Sequence, residues 1–211
     1  SRLHVSAESG TMLAALARMC INRGAAGLEW AVAVPGTVGG AVVGNAGAHG
    51  SDISSNIFLA DILQREKGTN SWTLHDLELD YRSSKLKIIE DDFVMLRAEF
   101  VLDHADSETL RLRASRFSQH RRETQPRGAS IGSMFKNPPG DYAGRLIEAA
   151  GLKGLRLGQA AISNVHANFF VNLGGASAME VSDLIDKACD TVLKMFDVDL
   201  ELEIQLIGEW L

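Results

Sequence analysis

The chain has 211 residues, 45% of them hydrophobic and 23% charged, with a formal net charge of −6. That is enough chain and enough apolar content for one large or two small folded domains, and it excludes an extended disordered protein. The acidic balance argues against nucleic acid or an anionic membrane as partner, so an anionic ligand needs a locally basic pocket. No apolar run nears the length of a membrane span, and nothing at the start resembles a secretion signal. Cys20 and Cys189 each sit in an apolar helical pattern and read as small core residues of a reduced, cytoplasmic protein. The opening Ser-Arg-Leu lacks an initiator Met, which leaves processing, trimming and a longer parent chain all open.

In chain order, Ser9 reads as the N-cap of a helix through Met12, Leu13, Leu16, Ala17 and Cys20, ending at Gly24. A glycine-rich stretch, PGTVGGAVVGNAGAHG, follows. Ile57–Leu63 and Ser71–Leu74 are strand-like and are joined by a polar turn containing Gly68. Over Phe93–Leu102 the alternation places Val94, Leu96, Ala98, Phe100 and Leu102 on one buried face of a strand. Composition then shifts, and a domain boundary is placed near residue 104. Ser107–Arg122 is a basic amphipathic helix with Leu110, Ala114 and Phe117 on one face. Beyond it come the loop GASIGSMFKNPPG, a helix from about Ala143 to Ala150, and strands at Ala160–Ile162 and Asn168–Asn172. A long helix with the capping box Ser177 and Glu180 carries Val181, Leu184, Ile185, Ala188 and Val192 on its apolar face. The chain ends on a strand-like run, Leu200–Ile207. The class is α+β with mixed sheets rather than regular βαβ alternation.

Four constellations carry candidate chemistry. Glycines let backbone amides approach a phosphate or a flat ring closely, so the glycine-rich stretch is either a cofactor cradle or a run of close-packed small residues. It is neither a dinucleotide fingerprint nor a P-loop, since no Gly-Lys-Ser/Thr follows. Tyr81-Arg82-Ser83-Ser84 is either a surface turn or an anion site. Gly132-Ser133-Met134-Phe135-Lys136-Asn137-Pro138 presents a hydroxyl with a cation and an amide nearby, without the elbow of a hydrolase serine. Leu200-Glu201-Leu202-Glu203-Ile204 puts both carboxylates on one face, which equally describes an exposed sheet edge.

GLEWAVAVPGTVGGAVVGNAGAHG, YRSSKLK, GSMFKNP, AGRLIEAAGLKG, SNVHANFFVN and LELEIQLIG occur together in one order. In that order and spacing the chain resembles the UDP-N-acetylenolpyruvoylglucosamine reductase family over nearly all its length. The resemblance implies a vanillyl-alcohol-oxidase-type FAD-binding domain, present in part, plus a smaller α+β substrate-binding domain. The implied ranges are 1–103, joined by a returning strand at 200–211, and 104–199. It implies FAD as cofactor, NADPH as reductant, a UDP-sugar substrate and the making of a cell-wall precursor. A cytoplasmic monomer without nucleic-acid, membrane or metal partners follows from the same likeness.

Matched motif by motif, Pro35, Gly36, Thr37, Gly39, Gly40, Asn45 and Gly47 correspond to the segment that holds FAD, and Arg122 to a basic residue near flavin or diphosphate. Arg82 corresponds to the arginine facing the substrate carboxylate, Ser133 to the serine that protonates the substrate, and Glu203 to the catalytic glutamate. Lys136 and Asn137 fall in the substrate loop, while Glu201 sits on a variable flank and is left out. His49 stands where the motif usually carries Tyr. The short interval from Arg82 to Phe93 leaves no room for a tyrosine-bearing substrate loop, so the resemblance is to the subtype without it. The family's front segment, with its glycine-rich pyrophosphate loop, has no counterpart in the sequence, which keeps open a catalytically silent binding or structural module. A flavin oxidase of the same superfamily lacks support, because no His or Cys sits in a motif for covalent flavin attachment.

Overall fold

Short alternating segments in the first half of the chain build an antiparallel sheet, and a second, smaller sheet forms after it. The computed structural model describes residues 2–209, and the chain divides into two units, Ser1–Arg121 and Arg122–Leu211.

The first unit begins with β1 (Leu3–Glu8), α1 (Leu13–Asn22) and β2 (Ala25–Ala26), then a 3-10 turn at Glu29–Ala33. Next are α2 (Val38–Val43), the hairpin β3 (Gly47–Ala48) and β4 (Ser51–Asp52), and β5 (Ile57–Gln64) with β6 (Gly68–Thr73). The short helices α3 (Leu74–Leu77) and α4 (Lys85–Ile88), then β7 (Phe93–His104) and α5 (Ser107–Thr124) as far as Arg121, complete it. The strands run β1-β7-β5-β6, with β2 also on β7, and all pairings are antiparallel rather than mixed. Leu13, Leu16 and Ala17 of α1 share one buried cluster with Ala98, Phe100 and Leu102 of β7.

Two local expectations shift. The helix starts at Leu13, with Met12 as a cap that makes no side-chain bond. Ser9 is used elsewhere: its N–H donates to the Leu96 carbonyl (2.8 Å) and its carbonyl accepts from Gly39 N–H (2.8 Å). On β7, Val94 is 57% exposed and Met95 is buried, the reverse of the alternation read from the sequence. The cause is a bulge: Asp61 pairs with Arg97 but Ile62 pairs with Met95, so one extra β7 residue is accommodated and every side chain before it changes face.

The division lies between Arg121 and Arg122, not near residue 104, because α5 packs on the first unit. Leu110 and Ala114 bury with Ile21. Arg113 also donates to Glu29 (2.9 Å), a nearly buried carboxylate that accepts from Gly27 N–H (2.6 Å) as well.

The second unit has β8 (Ala129–Ser133), α6 (Ala143–Ala149), β9 (Arg156–Leu157), β10 (Ala160–Ile162), β11 (Phe169–Asn172) and α7 (Ala178–Phe196). Its antiparallel order is β8-β11-β10-β9. The capping box of α7 forms as read, with Ser177 accepting from Glu180 N–H and Glu180 from Ser177 N–H. Leu184, Ile185, Ala188 and Val192 are buried, and each of the three larger side chains, Leu184, Ile185 and Val192, contributes about 1.5–3 kcal/mol.

Leu200–Ile207 forms no strand, and its residues group with the second unit. Leu200 belongs to the second unit's core with Leu202 and Ile204 packed against it, and Leu202 makes a lone β-bridge to Phe135. Ser1, Trp210 and Leu211, which the expected ranges 1–103 and 200–211 included, lie outside the described residues.

Candidate functional site

In the glycine-rich stretch, exposure sorts the candidates. Pro35, Gly36 and Gly40 are exposed, while Gly39 and Asn45 are buried. Gly36 has φ +107°, and a Cβ there would meet nothing within 4 Å, so its backbone is open to a close-approaching group. Gly47 answers a different need: a Cβ would come within 2.7 Å of the Ser51 carbonyl oxygen across the β3–β4 hairpin. Thr37 caps α2 by accepting from Gly40 N–H (3.3 Å). Pro35, Gly36 and Gly40 therefore leave backbone exposed, whereas Gly39 packs against Ser9 and Gly47 against the β3–β4 hairpin.

Asn45 is 2% exposed and its amide is fully engaged. Its Nδ2 donates to the Asp80 carbonyl (2.8 Å) and to Asp52 (3.4 Å), and its Oδ1 accepts from Ser54 N–H (3.1 Å). The turn it grips carries Arg82. Asp80 and Ser83 exchange backbone hydrogen bonds at 3.1 Å each, and Arg82 between them has φ +54°. The Arg82 guanidinium donates to the carbonyls of Gly47 (2.7 Å) and Asn45 (3.5 Å) and lies 5.4 Å from the Tyr81 ring centroid. Ser84, also buried, donates to the Val43 carbonyl at 2.6 Å. The Tyr-Arg turn and the glycine-rich stretch are thus one laced structure.

In the second unit, the loop after β8 pairs with the C-terminal run. Glu203 N–H donates to the Met134 carbonyl (2.9 Å), and Lys136 N–H to the Glu201 carbonyl (2.8 Å). These bonds bring Ser133 and Glu203 onto neighbouring segments, both half-buried, beside the buried Met134 and Phe135. The loop's other wall is Asn168, 3% exposed: its Oδ1 accepts from Phe135 N–H (2.9 Å) and its Nδ2 donates to the Phe135 carbonyl (2.8 Å).

Two substrate-loop candidates have partners within this unit. The Lys136 ammonium pairs with Glu201, and Asn137 Oδ1 accepts from Ala143 N–H (3.1 Å) at the start of α6. Glu201, set aside in the sequence as a variable flank, is therefore the counter-ion of a candidate residue. Asn168 was also missed as a functional support. Its signal was an Asn immediately before the apolar run Phe169–Val171, inside a motif quoted only for resemblance.

His49 heads the β3–β4 turn with φ +55° and stacks on Phe117 (4.3 Å between centroids, 11° between planes), with the His120 ring edge-on at 5.6 Å. Burial against this stack, then the charges of His120 and Arg121, hold the His49 pKa below its ordinary value. Arg122 is exposed, next to the division of the units. Among the described residues there is no group of three or more His, Cys, Asp or Glu placed to hold a metal, and no helix long and apolar enough to cross a membrane.

Residues 124–207 match the family model of the UDP-N-acetylenolpyruvoylglucosamine reductase C-terminal domain, and residues 1–69 match that of an FAD binding domain. The UDP-N-acetylenolpyruvoylglucosamine reductase of Chloroflexus aurantiacus is 43% identical over 203 residues, covering 95% of this chain and 68% of the relative. That of Rubrobacter xylanophilus is 46% identical over 205 residues, covering 96% and 68%. The crystal structure of UDP-N-acetylenolpyruvylglucosamine reductase from Thermus caldophilus superposes with a TM-score of 0.84 at 33% identity, over 95% of this chain and 71% of that one.

Proposed function

We propose, for a chain that belongs to the UDP-N-acetylenolpyruvoylglucosamine reductase family, the FAD-mediated and NADPH-dependent reduction of the enolpyruvyl ether of UDP-N-acetylglucosamine. The product is UDP-N-acetylmuramate, a peptidoglycan precursor. The observation that supports the reading is the pairing of Glu203 N–H with the Met134 carbonyl, which runs the segment carrying Glu203 alongside the one carrying Ser133. A silent module has no physical need for that pair.

FAD, when bound, supplies hydride to the enolpyruvyl double bond; the open backbone at Pro35–Gly40 would hold part of it. The first unit then acts as the cofactor-binding domain and the second as the substrate-binding domain. Arg82 is proposed to bind the substrate carboxylate, since a planar guanidinium matches both carboxylate oxygens. Glu203, in its protonated form, donates a hydrogen bond to the charge that develops as the double bond is reduced, and so lowers the barrier. Ser133 delivers the proton to the α-carbon. An alcohol is a weak acid, and it serves here because its acceptor is a strongly basic carbanion-like centre held within reach. The cationic end of Lys136, steadied by Glu201, is suited to the anionic part of a nucleotide substrate.

Ser133→Ala tests the assignment. Substrate affinity and flavin reduction by NADPH should stay near parent levels, because the hydroxyl is needed only once hydride has arrived. Single-turnover reoxidation by the enolpyruvyl substrate should fall by about 10²–10⁴, the usual worth of a positioned acid. Ser133→Cys should recover part of that rate. A normal reoxidation rate with a lowered melting temperature would make Ser133 a loop residue and remove it from the mechanism.

A further inference from the structure

We infer that Asn45 is a positioning residue that sets the aim of Arg82, a role that rests on reading Arg82 as the carboxylate-binding arginine. Asn45 lies in the glycine-rich stretch, where a ligand contact would be expected of it. At 2% exposure, with its amide occupied by Asp80, Asp52 and Ser54, its side chain instead faces the protein.

The connections form a closed ring. The Asn45 side chain holds the main chain at Asp80, two residues before Arg82. The Arg82 side chain returns to hold the main chain at Asn45 and Gly47. Both residues adopt left-handed backbone, φ +40° and +54°, which asparagine tolerates readily but arginine keeps only where its surroundings hold it. The reciprocal bonds of Asp80 and Ser83 close the turn but leave its orientation to outside contacts. The donor from Asn45 supplies one. An arginine stem is long and has many rotamers, so a guanidinium grips a carboxylate with fixed geometry only when its Cα and its fork are both located. Asn45 bears on the first through the Asp80 carbonyl and on the second through its own carbonyl.

A plain stabilising role predicts something different, and one pair of changes separates the two. Asn45→Asp alone would set a carboxylate against Asp52. Asn45→Asp combined with Asp52→Asn keeps an acceptor for Ser54 N–H and restores a bond between positions 45 and 52. The bond to the Asp80 carbonyl is lost, and an acceptor oxygen faces that carbonyl in its place. In the double variant, the Arg82 Nε–H resonance, assigned by its loss in Arg82→Lys, should shift or broaden in ligand-free protein. Calorimetric affinity for UDP-N-acetylenolpyruvoylglucosamine should weaken by about tenfold, the scale of one buried hydrogen bond. An Arg82 signal at its parent position together with parent affinity would overturn the inference. If the double variant does not fold, Asn45→Ser, which adds no charge, is read by the same signal. Parent protein that fails to bind the nucleotide would strike the functional reading instead, and the ligand-free Arg82 signal would still decide whether Asn45 aims it.

Discussion

Each unit secures its candidate loop with a buried asparagine, and the two work differently. Asn168 bonds both the N–H and the carbonyl of the single residue Phe135, imitating a neighbouring strand for one residue. It does so where the β8–β11 register shifts between Phe169 and Val171 and the regular ladder is interrupted. Asn45 reaches instead to three separate places, a hairpin strand, the following turn and the Tyr-Arg turn thirty-five residues along the chain. The first arrangement mends a sheet locally and leaves Ser133 on rigid strand backbone. The second couples segments distant in sequence, so that the pose of Arg82 depends on the whole hairpin. Under the proposed roles, local placement suits Ser133 as a proton donor with one acceptor atom, and coupled placement suits Arg82 facing a charged ligand.

Asn168→Ala breaks the local device and carries the largest expected effect on folding. It leaves the buried N–H and carbonyl of Phe135 without partners, a cost of about 3 kcal/mol for two such groups. Urea unfolding should register that loss in the second unit, while amide exchange at Ser54 in the first stays at the parent rate. A loss below about 1 kcal/mol would mean that the pairing of Phe135 with Leu202 suffices to hold the loop.

Much of this organisation was legible in the sequence where local rules decide. The box at Ser177 and Glu180 and the α5 stripe depend on spacing alone and form as read, and the hairpin forms with its second strand starting at Gly68 and ending at Thr73, where Leu74 opens α3. The misses have non-local causes. Val94 and Met95 exchange faces because of a bulge imposed by pairing with β5, which no alternation within β7 encodes. Ser9 has the chemistry of an N-cap, yet its backbone is claimed by Leu96 and Gly39. Leu200–Ile207 alternates like a strand but finds a single bridging partner at Phe135 and packs only Leu200, Leu202 and Ile204 into the second unit's core, leaving Leu206 and Ile207 exposed. For the site, residue types and motif order pointed to Arg82, Ser133 and Glu203. The supporting residues Asn168 and Glu201 emerged only with the tertiary pairing, because their partners lie thirty-three and sixty-five residues away.

Arg82→Lys sharpens the comparison from the coupled side. Lysine keeps the charge but has neither the planar fork nor the reach to bond the Gly47 and Asn45 carbonyls together. The enolpyruvyl half-reaction should slow by roughly 10–100-fold, corresponding to one or two charge-assisted hydrogen bonds. Flavin reduction by NADPH should change much less. Stopped-flow measurement of both halves is the check, and equal slowing would place Arg82 in the service of the cofactor. A modest fall in melting temperature should accompany it, which Ser133→Ala, on its rigid strand end, should not show.

The smallest effect concerns the hairpin's outer end, where His49 rests on Phe117 of α5. Burial against the ring, His120 and Arg121 all disfavour its charged form, so its pKa in the folded chain lies below the ordinary value of 6.5. As pH falls through 6.5 the unfolded chain takes up this proton first, and the folded state loses stability until the folded pKa is passed. Above 6.5 both states are neutral at this position and it contributes no pH dependence. The first unit should therefore become less stable between about pH 7 and pH 5, with a slope that His49→Phe and His49→Tyr both flatten, since each keeps the stack and removes the titration. His166 in the second unit has a pKa lowered mainly by burial as well, so its slope persists in these variants and serves as an internal reference. Melting temperatures across that range decide the matter. If His49→Phe leaves the slope of the first unit unchanged, the His49–Phe117 stack does not distinguish the two protonation states.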